Sequence, residues 1–218
     1  MVSSLGYNPV QTTNATGSFN IESTGWVQGV AMDAPAIRNS LAGGVLATDE
    51  TLPMWGGLGI YENVPGAPSP GPGVVLGGVV GRATSITEAA AKSLTGFSVF
   101  DQAHHMAQTP TSEVPVSLSS MSVHFYRFGS GARIPVKCDP ALIDLQGNII
   151  TSLVMWDFVN QMLIAGTPAG ADPVADPAVA IPVRVLGVRA TNCMTVQYDT
   201  TTGFATWNRN GCCALILI

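Results

Sequence analysis

The spacing of turn residues constrains this chain most. Twenty-four glycines and fifteen prolines leave only short apolar runs between turn signals. Long amphipathic helices cannot fit between them, whereas short strands joined by tight turns can, as in a β-sandwich or barrel. The alternation supports strands where it is cleanest. Val123, Phe125 and Arg127 share one face of a run, and His124, Tyr126 and Phe128 share the other. Val179, Ile181, Val183 and Val185 lie at strict period two, as in a half-buried strand. Arg133 to Cys138 is another strand, and its internal Pro135 assigns it to an edge or a bulge.

Met194–Tyr198 and Phe204–Trp207 flank Asp199–Gly203 as a hairpin, and Asn210-Gly211 reads as a second hairpin turn leading into Cys212–Ile218. The last forty residues are expected to form an antiparallel meander with a buried C-terminus. Residues before about 110 read as irregular. They comprise an N-terminal arm, a Pro/Gly loop over 65–73, a short strand over Val74–Gly81 with a glycine pair, and one short helix. Ser85-Ile86-Thr87-Glu88 is a capping box, Glu88–Lys92 supplies helix formers and Gly96 a stop. The expectation is therefore a mainly β protein: an irregular region over 1–110 with one short helix, then an antiparallel β-barrel or jelly-roll-like domain over 111–218.

Composition narrows the function classes. Charged residues make up 11% of the 218, and 46% are hydrophobic. An ordinary soluble domain carries roughly 25% charge. Such a surface calls for a covering. No run approaches the ~18 apolar residues that span a bilayer, and Met1–Gly6 lacks the basic and apolar regions of a signal peptide. Neighbouring protein subunits are the better covering. The net charge of −5, with only Lys92 and Lys137 as lysines, provides no basic stripe for nucleic acid. Cys138, Cys193, Cys212 and Cys213 form no Cys-x-x-Cys and read as small buried hydrophobes of a chain folded in a reducing cytosol.

Motifs for chemistry are weak. Gly129-Ser130-Gly131 has the wrong spacing for a nucleophile elbow and reads as a turn. No P-loop is present. His104-His105 with Asp101 is the best titratable cluster, but adjacent histidines point apart and rarely share a metal. The neighbouring acids Asp49 and Glu50 would likewise diverge. No catalytic residue, metal or cofactor is expected, and the chain reads as a non-enzyme. Trp and Met are enriched in interface cores. Trp55 and Met54, set among glycines, are with Trp26 and Tyr61 the candidate contact residues.

Several segments resemble cement-type structural proteins of tailed bacteriophages. They are Phe100–Ala103, Val114-Pro115-Val116, Val123–Ile134, Asp139–Leu142 and Trp156–Gln161, with the closing Ala214–Ile218. The shared features are strand-and-turn patterns. The resemblance implies a capsid cement (decoration) protein with a β-barrel or jelly-roll domain. Its partners would be the major capsid protein and itself, as a dimer or trimer. It would be made in the bacterial cytoplasm and sit on the outer surface of the virion capsid. Alternatives are a tail or fibre component, a β-type carbohydrate-binding module with exposed tryptophans, and a hydrolase using His104 with Asp101.

Overall fold

The computed structural model describes residues 26–31, 37–63, 78–84, 92–100, 113–146, 154–166 and 178–218. The expected N-terminal arm before residue 26, the Pro/Gly loop, the Ser85–Glu88 capping box and the Asp101/His104/His105 cluster lie outside these residues.

The protein is mainly β. Its strands are β1 (Ala42–Leu46), β2 (Gly59–Asn63), β3 (Gly78–Arg82), β4 (Gly96–Val99), β5 (Ser122–Arg127), β6 (Arg133–Lys137), β7 (Val154–Asp157), β8 (Met162–Ala165), β9 (Ala178–Ala180), β10 (Arg184–Asp199) and β11 (Phe204–Leu217). Two 3-10 turns, Ile37–Ser40 and Pro140–Leu145, are the helical elements among the described residues.

A closed barrel runs in the order β1-β3-β2-β4-β5, and β5 returns to β1. Its pairs are antiparallel except β1–β3, which is parallel. The barrel crosses the boundary expected near residue 110, because four of its strands precede that point and β5 follows it. The region expected to be irregular thus supplies most of the barrel wall. Its short strands are rich in glycine, for a steric reason. A Cβ on Gly96 would lie 2.0 Å from the Tyr126 carbonyl oxygen, and one on Gly81 would lie 2.4 Å from the Tyr61 ring. The paired neighbouring strands leave no room there for a side chain.

Two three-stranded sheets, β10-β11-β6 and β8-β7-β9, hold the remaining strands among the described residues. Pro135 sits on the outer strand of the first, as a residue without an N–H must. Its outward carbonyl accepts the Gly29 N–H at 2.8 Å. The β10–β11 hairpin forms around Asp199–Gly203 as expected. Asn210-Gly211 does not turn the chain. It lies inside the continuous β11, opposite a register shift near Cys193 and Thr195. The Thr195 side chain occupies the place a Cβ on Gly211 would take, at 2.2 Å, so this glycine admits a bulge, not a turn. The Val179–Val185 run is not one strand either. Pro182 has no N–H for a ladder, and β9 ends at Ala180 before β10 starts at Arg184.

Two cores result. Leu46, Ile60, Val80, Val123 and Phe125 fill the barrel interior. Tyr61, Phe97 and Tyr126 point out of the barrel into a second core with Trp156, Leu163, Ile134 and Ile216. The period-two pattern of β5 is thus real, but each of its faces carries buried residues, Val123 and Phe125 on one and Tyr126 on the other. Trp156 joins the layers: its ring meets Phe97 edge-on at 5.0 Å, and Gly59 leaves room for its indole. The C-terminal Ile218 is buried, exchanging backbone hydrogen bonds with Gly131 and Ala132.

Candidate interaction surface

The four expected contact residues do not converge on one surface. Met54 is fully buried in the barrel, and its backbone exchanges two 2.8 Å hydrogen bonds with Ser117. Trp55 is 6% exposed, with the Arg82 guanidinium 4.7 Å above its ring and Tyr198 5.5 Å away. Tyr61 is 5% exposed, and burial pushes its phenol up. The apolar surface of these three is covered within the chain. The glycines around them read as looseness in the sequence, whereas they permit close packing in the fold. Trp26 is the partly exposed member of the four. Its ring lies over Gly187 and faces the Arg189 guanidinium at 4.9 Å.

The exposed apolar surface lies elsewhere. Val45 and Val79 are register partners of the parallel β1–β3 pair, 43% and 39% exposed on the outer barrel wall. Leu118, Leu186 and Phe204 are exposed as well. Sequence reasoning missed Val45 because it assigned no strand to Ala42–Leu46, so inward Leu46 and outward Val45 could not be told apart; Val79 fell in the expected Val74–Gly81 strand, but without a pairing partner its face was not fixed.

Three cations of the barrel have partners within the chain. Arg127 makes a two-pronged pair with Glu62, both bonds 2.6 Å, which holds the guanidinium above its usual range. Lys92 bonds Asp49 at 3.3 Å, and this bond raises its ammonium. Burial pushes Arg82 down, against the field of Glu50, whose carboxylate accepts the Arg82 backbone N–H at 3.0 Å. Its guanidinium also donates to the Pro53 carbonyl. Asp49 and Glu50 therefore serve different partners, as their adjacency predicts.

Among the described residues, no group of three or more His, Cys, Asp or Glu is placed to hold a metal, and no helix is long and apolar enough to cross a membrane. Gly129-Ser130-Gly131 is the β5–β6 turn, with both glycines at positive φ. The four cysteines are free thiols in two cross-strand sets. Cys138 meets Cys212, and Cys193 meets Cys213. Hydrogen bonding from Cys213 pulls Cys193 down to about 6, and the same bond with burial pushes Cys213 up.

No protein-family model, curated protein or solved structure matches the chain.

Proposed function

We propose that this chain is a structural virion protein that binds and stabilises the major capsid protein lattice of a tailed bacteriophage. It acts as a cement protein, self-associated as a dimer or trimer on the outer capsid surface. The observation that carries this reading is how the charge is used. Only 11% of residues are charged, and Arg82, Lys92, Arg127 and Arg189 are all engaged by carboxylates, carbonyls or rings of the same chain. Few charges are present to keep neighbours apart, and Val45 and Val79 offer apolar strand surface. The strand-and-turn resemblance over Phe100–Gln161 points the same way.

The mechanism is mass action. A protein that binds only the assembled lattice stabilises it by the binding free energy. Self-association lets several weak contacts act together. Contacts built on apolar burial depend little on salt. The carbohydrate-binding alternative is weakened by the tryptophans: Trp55 and Trp156 are buried, and Trp26 and Trp207 are half-buried.

The test is co-sedimentation of the purified chain with capsid shells stripped of it. Saturable binding that persists at high salt, with shells surviving greater heat, is expected. Absence of binding, or binding abolished by moderate salt, would contradict the proposal.

A further inference from the structure

We propose that Cys138 and Cys212 form a modification site, a dithiol that a small-molecule disulfide oxidises to a cross-strand disulfide. Their sulfurs lie 3.2 Å apart as thiols. The Cys138 N–H donates to the Cys212 carbonyl at 3.2 Å, so the two residues face each other one step beyond the Lys137–Cys213 pair of β6 and β11. Opposed residues of an antiparallel ladder hold their Cα atoms ~4.5–5.5 Å apart, within the ~4.4–6.8 Å span of disulfides. Bond formation requires the sulfurs to approach by roughly 1 Å more, to the ~2.05 Å of an S–S bond.

The surroundings select this pair. Neighbouring strand residues point to opposite faces. Cys212 thus joins Cys138 against the larger core, while Cys213 meets Cys193. Cys193 and Cys213 are fully buried, whereas Cys212 is half-exposed and gives a reagent a point of attack.

The exchange balances. The Cys212 thiol loses its proton to solvent, and its sulfur attacks the small disulfide. That S–S bond breaks, leaving a mixed disulfide and one small thiolate. The Cys138 thiol then loses its proton and its sulfur attacks Cys212 Sγ, expelling the second small thiolate. Both small thiolates take up protons. The protein dithiol is oxidised by two electrons, and the small disulfide is reduced to two thiols.

Burial pushes both Cys138 and Cys212 up, so thiolate is scarce and the exchange is slow. The pair is a structural staple, not a catalytic dithiol. Cys138 also bridges to Leu163 of β8. The bond would close a loop spanning a sequence separation of 74, carrying β7 to β10, where all three of β6, β8 and β11 meet.

The test is to incubate the reduced full-length protein with glutathione disulfide, alkylate the thiols after unfolding, and map the peptides without reduction. The expected product is a Cys138–Cys212 linked peptide with Cys193 and Cys213 alkylated. The thermal midpoint should rise by roughly 5–15 °C. Cys212→Ser should show neither change, and Cys193→Ala should show both. A mixed disulfide stalled on Cys212, a Cys193–Cys213 link in its place, or four alkylated thiols would overturn the proposal. The peptide map is read on the unmutated protein, so a variant that fails to fold does not obscure it.

Discussion

Ser98 shows how much one small polar side chain can hold inside the barrel. Its hydroxyl accepts the Leu58 N–H at 3.0 Å and donates to the Trp55 carbonyl at 2.7 Å, all of it buried. Ser98→Ala leaves both backbone groups without that partner, and such a loss costs about 1–3 kcal/mol. Urea unfolding should show the transition at lower denaturant with an unchanged slope; an unchanged midpoint would mean the hydroxyl is dispensable. Asp157 sets a pH-dependent turn between β7 and β8. Burial works to raise its carboxyl, but hydrogen bonds from Asn160 and Val159 and the field of Lys137 outweigh it, leaving the carboxyl below its ordinary value. A depressed folded value stabilises the turn fully above the ordinary value near ~3.9 and loses that contribution as pH falls through the folded value. The Val159 and Asn160 amide signals should therefore titrate with a midpoint below ~3.9, and a midpoint above it would refute the assignment.

At the scale of elements, the steric demands on glycine separate two substitutions that look alike in sequence. Gly96→Ala drives a Cβ into the Tyr126 carbonyl at 2.0 Å, against backbone that cannot yield. Gly43→Ala meets only the His124 ring, at 3.5 Å, which is ordinary contact. The first should cost about 3 kcal/mol or more, or prevent folding, and the second should fall within about 1 kcal/mol. Expression yield and thermal midpoint of the two variants compare them directly. The same chemistry explains what was legible in the sequence. The alternation of β5, Pro135 at the edge of β6 and the Asp199–Gly203 hairpin were readable because side-chain period and turn chemistry are local. The barrel strand Ala42–Leu46 was not, and Gly78–Arg82 was readable only as the short strand over Val74–Gly81. Their glycines depress strand propensity, and the reason for Gly44 lies on the paired strand β3, where Val80 would meet its Cβ at 2.6 Å. Met54, Trp55 and Tyr61 were misplaced on a surface for the same cause. Apolar residues among glycines look loose until the neighbouring strands are present. Val45 and Val79 became visible only once the β1–β3 register was fixed.

Across the whole molecule, the two cores share β5 and are locked by Trp156 against Phe97 and Gly59. Trp156→Ala removes a fully buried indole from that junction, a change that costs about 3–5 kcal/mol. Because the layers share a strand, the whole unfolding transition should move together. Two separate transitions in the variant, one unshifted, would show that the barrel stands without its partner sheets. On the proposed reading, the low charge of this joined body would suit it to a crowded lattice, where a charged coat would repel identical neighbours. Stoichiometry tests that reading most directly. If the chain is a cement protein as proposed, virions of the phage that encodes it, compared by gel densitometry, should contain this chain and the major capsid protein in a fixed stoichiometry. The account predicts a copy ratio near one or a simple fraction of it. A handful of copies per particle, or none, would contradict it.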